Sequence, residues 1–103
     1  MIKEKIKSLA AAYAAEFIEV RRHLHQNPEL SYLEYETSKF VQEKLTGFGI
    51  LFEIKAITGV IGLIKGKNPG KKIIALRADM DALPIKEEND IPYKSIKDGI
   101  MHA

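Results

Sequence analysis

The sequence predicts a layered α/β fold, because two helical patterns come first and short apolar strand patterns follow them. The helical patterns cover residues 2–26 and 31–47, after which the spacing of apolar residues changes to that of strands. The most informative strand candidate is Lys71–Ala78, whose unbroken apolar run is followed at once by Asp79 and Asp81. Such a run is typical of a strand covered on both faces, so helices are expected to pack on its sheet.

The composition excludes several classes of protein. The chain has 103 residues, of which 46% are hydrophobic and 29% charged, with a net charge of +2. The sequence has no basic stripe, so binding to nucleic acid or to an anionic membrane is not expected. No apolar run is long enough to span a bilayer. There is no cysteine, so disulfides and thiolate metal ligands are excluded within the chain. One domain at most is expected.

The first helix is predicted from Ile2 to Gln26, because Asn27 precedes Pro28 and therefore disfavours the helical conformation. One stripe of 3.6-residue period follows it, made of Ile2, Ile6, Leu9, Tyr13, Phe17, Val20 and Leu24. The stripe runs straight through the small-residue stretch at which a signal peptide would be cleaved, so an amphipathic helix is the better interpretation. A cytoplasmic location is therefore expected.

The second helix has a marked start, because Ser31 and Glu34 have the spacing of a capping box. Gly47 is predicted as its left-handed cap. Short strands are then expected at Ile50–Ile54 and Gly59–Lys65.

Asn68-Pro69-Gly70 has the composition of a type II turn. This turn predicts an antiparallel hairpin between the Gly59–Lys65 strand and the Lys71–Ala78 strand. From Ala82 onward the chain is expected to be a loop.

Asp79 and Asp81 are the strongest candidate functional residues. Side chains alternate along a strand, so both carboxylates should leave the same face at its rim. Paired carboxylates cost free energy there unless a cation or hydrogen-bond donors face them, which indicates a nearby metal site. The alternative is a strand end capped by hydrogen bonds with Arg77 as a local ion-pair partner, and the residues alone leave both interpretations open.

The histidines give weaker signals. His23 and His25 are two positions apart in a predicted helix and do not face each other, so packing or capping roles are favoured over chelation. Arg21 and Arg22 suit the cationic end of that helix, although a carboxylate or phosphate ligand is an alternative. His102 lies in a loop.

Three segments become informative when they are taken together. They are Arg21–Ser31 (RRHLHQNPELS), Arg77–Pro84 (RADMDALP) and Gly99–Ala103 (GIMHA). In this order and spacing they resemble the signatures of co-catalytic metal amidohydrolases, the family of hippurate hydrolase, N-acyl-amino-acid amidohydrolases and plant auxin-conjugate hydrolases. The third signature normally continues Cys-Gly-His-Asp.

The resemblance implies a three-layer αβα zinc-exopeptidase-like catalytic domain with a mixed sheet, of which residues 1–103 are an incomplete N-terminal portion. It also implies two divalent metal ions (zinc, manganese, cobalt or nickel), with the ligands and the general base located after Ala103. The chain alone is therefore expected to be inactive. In the full-length enzyme, the metals are expected to activate a water molecule that hydrolyses the amide bond of an N-acyl amino acid or short peptide. An inserted domain is expected to make that enzyme a dimer.

Individual roles follow from the resemblance. Asp79 and Asp81 occupy the places of a His-x-Asp pair in related peptidases, in which the histidine is a metal ligand. Aspartate at the first place makes Asp79 a poor candidate for a direct ligand. Asp81 is expected to orient a metal-bound imidazole by accepting a hydrogen bond from its other ring nitrogen. His102 is expected to line the approach of the substrate.

Two alternatives stay open at this point. Within the same clan, a dipeptidase or carboxypeptidase is the main competitor. Outside it, the chain would be a non-catalytic αβ module that binds a partner through its acidic rim. A reading frame that continues Cys-Gly-His-Asp after Ala103 indicates an enzyme, whereas a stop codon there favours the module.

Overall fold

A computed structural model describes the whole chain, residues 1–103. Its regular elements are α1 (Ile2–Gln26), α2 (Tyr35–Gly47), β1 (Leu51–Lys55) and β2 (Gly59–Leu63). The two strands form an antiparallel hairpin on which α2 packs. Helix α1 meets α2 through aromatic ring pairs, Phe17 with Phe48 and His23 with Phe40.

Helix α1 has the bounds that the sequence predicts. It ends at Asn27, whose backbone N–H and side-chain Nδ2 both donate to the carbonyl oxygen of His23, at 3.1 and 2.8 Å. The asparagine side chain thus gives the His23 carbonyl a second donor, while Pro28 has no N–H with which to continue the helix. No residue of α1 is buried, and its apolar stripe is exposed from Ile2 to Phe17 and half-buried only at Val20 and Leu24.

The predicted capping box of α2 is wrong, because the helix begins at Tyr35, beyond the predicted Ser31 cap. The free N–H groups of Glu36 and Thr37 donate instead to the carboxylate of Glu29, at 3.2 and 2.5 Å. A charged acceptor at a helix start satisfies these groups and complements the helix dipole, which makes a local serine cap unnecessary.

The other end of α2 has its left-handed residue two positions later than predicted. Gly47 is the last helical residue, and Gly49 takes the positive φ of 71°. The N–H groups of Gly49 and Ile50 donate to the carbonyls of Thr46 and Leu45, at 3.0 and 2.9 Å. This is the Schellman pattern of a helix terminus.

The hairpin joins β1 to β2, with Leu51 opposite Leu63 and Lys55 opposite Gly59. Both predicted strands are therefore present, but their pairing differs from the prediction. The short connection after Lys55 closes the hairpin with little loss of chain entropy, and this favours β1 as the partner of β2.

The predicted strand Lys71–Ala78 is wrong for this structure. The turn before it forms, with Gly70 at a φ of 94°, but the segment makes no strand pairing and Ile73, Ile74 and Leu76 are 87–97% exposed. A strand requires a neighbour for its N–H and C=O groups, and no segment of the chain pairs with this one.

The irregular segments are held together by short backbone pairings. Leu30 pairs with Ala82 in parallel, and Leu83 pairs with Met101 in antiparallel orientation. The N–H of Ala82 also donates to the carbonyl oxygen of Glu29 at 2.7 Å. Three distant parts of the sequence therefore lie side by side, and these pairings place the residues of the candidate site.

Candidate active site

The acidic rim consists of Asp79 and Asp81. It lies between the exposed segment 71–78 and Ala82, the residue that pairs with Leu30. Asp79 is exposed and forms an ion pair with Arg77, at 2.8 Å between Oδ1 and Nη2. This contact corresponds to the local pairing considered as the alternative to a metal site. Asp81, next to Ala82, is half-buried.

His102 is placed against this rim by the backbone pairing of Met101 with Leu83, whose two hydrogen bonds measure 2.9 and 3.0 Å. Its Nε2 atom is buried and has no hydrogen-bond partner. Burial lowers the pKa of His102 and the nearby His25 lowers it further, whereas the carboxylate and backbone of Asp81 act in the opposite direction. The structure therefore brings the predicted residues Asp81 and His102 together.

His25 and Glu87 form a second polar centre beside His102. Nε2 of His25 lies 2.8 and 3.0 Å from the two carboxylate oxygens of Glu87, whose side chain is only 2% exposed. Glu87 also accepts hydrogen bonds from the Ser95 N–H at 2.6 Å and from Asn89 Nδ2 at 3.1 Å. Burial alone would raise the pKa of Glu87, but the bonds from Ser95, His25 and Asn89 outweigh it and lower the pKa to about 2.

A cleft of about 590 Å³ lies beside these groups, between the C-terminal half of α1 and the segments that follow it. The polar residues His25, Asp79, Asn89 and His102 line it, and Phe17 is among its apolar residues. A cleft of this size with a few convergent polar groups has the character of a small-molecule site.

His23 lies on the other side of α1, where it stacks on Phe40 with ring centroids 4.2 Å apart. It lines a separate depression of about 350 Å³. The two histidines of α1 therefore lie in different depressions, which confirms the prediction from their spacing that they do not face each other.

The side chains of the chain do not assemble a metal centre by themselves. No group of three or more His, Cys, Asp or Glu side chains is arranged to hold a metal ion. Asp79 is engaged by Arg77, and Glu87 is saturated by donors.

Sequence reasoning missed Glu87. The run Lys86–Asp90 has the composition of a solvated loop, but Glu87 is 5% exposed while its neighbour Glu88 is exposed. Nothing in the local pattern distinguishes the two glutamates, because the histidine that binds Glu87 is 62 positions away.

Comparisons with known proteins point to one class, the metal-dependent hydrolases of amide bonds. The chain is 46% identical over 104 residues to an N-acyl-L-amino acid amidohydrolase from Geobacillus stearothermophilus. It is 49% identical over 102 residues to thermostable carboxypeptidase 2 from Saccharolobus solfataricus. These matches cover 97–100% of the chain but only 26–28% of the relatives, so the chain spans about a quarter of their length. No family model matches the chain.

Solved structures give the same result. A dinuclear metal-binding peptidase of the M20 family from Bacillus subtilis matches with a TM-score of 0.83 and 44% identity, over 89% of this chain and 26% of its own. An aminohydrolase candidate from methicillin-resistant Staphylococcus aureus matches with a TM-score of 0.89 and 39% identity, over 100% and 27%. In fold, the chain thus matches the N-terminal part of M20-family peptidase domains. None of its helices is both long and apolar enough to cross a membrane.

Proposed function

We propose that the chain forms the N-terminal part of a metal-dependent amidohydrolase that hydrolyses the amide bond of N-acyl amino acids. The observation that carries the proposal is the 46% identity, over the whole chain, to an N-acyl-L-amino acid amidohydrolase. The placement of Asp79 and His102 on one cleft is consistent with it. We infer a need for two divalent ions (zinc, manganese, cobalt or nickel), bound largely by residues after Ala103.

Within this site, we assign Asp81 the role of orienting a metal-bound imidazole and His102 the role of lining the substrate approach. Asp81 is half-buried beside His102, which suits a supporting carboxylate better than the exposed Asp79, already paired with Arg77. A supporting carboxylate fixes the ring of a ligand histidine and raises its basicity. Asp81→Asn is therefore expected to weaken metal binding by roughly 10- to 100-fold, measured by calorimetry, with Asp90→Asn as the exposed control.

The test of the proposed function uses the full-length protein loaded separately with each of the four metals. We expect release of glycine from hippurate and of methionine from N-acetyl-methionine, and loss of both activities on chelation. We also expect no activity from residues 1–103 alone. The absence of hydrolysis with every metal, or metal-dependent hydrolysis by the isolated chain, contradicts the proposal.

A second candidate function is carboxypeptidase or dipeptidase activity, favoured by the 49% identity to a carboxypeptidase. Free dipeptides and longer peptides, assayed beside the N-acyl amino acids, distinguish it through the ratio of kcat/KM values. A non-catalytic αβ module remains the alternative from another class, and a stop codon directly after Ala103 would favour it.

We further propose a small-molecule or short-peptide substrate, a cytoplasmic location and a homodimeric full-length enzyme, with neither nucleic acid nor membrane as a partner. The substrate class rests on the amidohydrolase and carboxypeptidase among the relatives. Sedimentation of the full-length protein tests the dimer, and cell fractionation tests the location.

A further inference from the structure

Two polar groups of the cleft wall depend on one buried carboxylate. His25 and Asn89 both line the cleft, and both bind Glu87. Glu87 is fixed in turn by the backbone N–H of Ser95 at 2.6 Å. The last turn of α1 and the loop of residues 87–96 therefore meet at this carboxylate, with Ile96 N–H donating to Gln26 carbonyl oxygen at 3.0 Å as a second tie.

The Glu87 contact decides which nitrogen of His25 is free. Nε2 faces the carboxylate, an acceptor without a proton, so Nε2 carries the ring hydrogen in that bond. In the neutral ring, Nδ1 is then an acceptor. Nδ1 makes no hydrogen bond within the protein and is not among the buried unpartnered atoms, so it is accessible on a residue that lines the cleft.

We propose that Glu87 is a positioning residue that fixes His25 so that its Nδ1 accepts a hydrogen bond from the amide N–H of the substrate. The inference rests on the proposed amidohydrolase function, because it assigns the substrate an amide group. His25 is then a specificity-determining residue, which contacts the substrate directly, and Glu87 acts through it. A buried carboxylate that orients an imidazole in this way is a general device of protein sites.

The test compares two substrates that differ at one atom. Hippurate carries the amide N–H, whereas O-benzoylglycolate, its ester counterpart, carries an oxygen in its place. In the full-length metal-loaded protein, His25→Asn and Glu87→Gln are each expected to lower kcat/KM for hippurate roughly three- to tenfold, the value of one hydrogen bond. For the ester, both variants are expected to stay within twofold of the wild type. The double variant is expected to resemble the more affected single variant, because the two residues act as one unit.

The chain supplies matched controls. Glu88→Gln changes the exposed neighbour of Glu87, and His23→Asn changes the histidine on the other side of α1. Both are expected to leave the amide-to-ester ratio unchanged. Hydrogen exchange at the Ser95 amide gives a readout independent of turnover, and it is expected to quicken in Glu87→Gln but not in Glu88→Gln.

The outcomes separate the two proposals. Wild-type protein that hydrolyses neither substrate contradicts the amidohydrolase function itself. Wild-type activity with an equal loss on amide and ester in the variants shows that the pair is only structural and overturns the inference. Unchanged kinetics in both variants overturn it as well.

Discussion

Glu29 connects the start of α2 to the acidic rim through two different groups. Its carboxylate accepts the N–H groups of Glu36 and Thr37, and its carbonyl oxygen accepts the N–H of Ala82 at 2.7 Å. Because Asp81 directly precedes Ala82, the position of the rim depends on the residue that caps the helix. A change in this cap is therefore expected to affect the candidate site as well as α2.

We predict that Glu29→Gln destabilises the protein by about 1 to 2 kcal/mol near neutral pH, because α2 loses a charged cap. Burial opposes ionisation of Glu29, but the hydrogen bonds from Thr37 and Glu36 and the charge of Lys97 outweigh it and lower its pKa below 4.5. A carboxylate with a lowered pKa stabilises fully above its ordinary pKa and loses this effect as the pH falls through the folded value. The difference from wild type should therefore shrink below pH 4.5.

The measurement is amide exchange in the first turn of α2 across that pH range, in the full-length protein. Glu36→Gln is the control, because Glu36 is exposed in the same turn and caps nothing with its side chain. Equal effects of the two substitutions, or an effect of Glu29→Gln that is independent of pH, would show that the Glu29 carboxylate does not support the helix.

At the scale of elements, the sequence predicts α1 to the residue and fails for the 71–78 strand, and the reason is physical. The bounds of a helix depend on local period and on a stop signal such as Asn27-Pro28. A strand depends on a neighbour that is remote in sequence, which the apolar run cannot specify. The predicted cap of α2 is wrong because the acceptor that the helix uses, Glu29, lies eight positions before Thr37, outside the spacing of a capping box. For the candidate site, motif resemblance predicts the acidic rim and His102, whereas the buried Glu87 is found only in the folded structure.

The β1–β2 hairpin depends on glycine at the start of β2. A Cβ atom on Gly59 would lie 2.6 Å from the backbone oxygen of Lys55, which no side-chain adjustment relieves. We predict that Gly59→Ala destabilises the hairpin by about 1 to 3 kcal/mol, as overpacking does in other tight contacts. Gly66→Ala is the matched control, because nothing lies within 4 Å of its added methyl group. Thermal unfolding of the full-length variants should separate the two, and equal midpoints would contradict the prediction.

At the scale of the whole molecule, residues 1–103 lack an apolar core of their own. Ala82 and Pro28 are the buried apolar residues, and the other buried side chains are polar. The radius of gyration is 16.1 Å, compared with about 13 Å for a compact domain of 100 residues. The stripe of α1 and the 71–78 segment therefore present apolar surface that a peptidase domain of the relatives' length would cover.

This exposure predicts the behaviour of the isolated chain. Unpaired strand edges and large apolar patches drive association, so we expect residues 1–103 to be marginally stable and to self-associate with rising concentration. Ile74→Lys should reduce this association, because a charge in the 71–78 segment opposes edge-to-edge pairing. Ile57→Lys is the control, since Ile57 is 78% exposed but lies in the hairpin turn between β1 and β2 rather than in that segment. Sedimentation velocity over a range of concentrations measures the effect. A monomer with a sharp, concentration-independent unfolding transition would instead mean that the chain is a self-sufficient domain, and would favour the binding module over the incomplete enzyme.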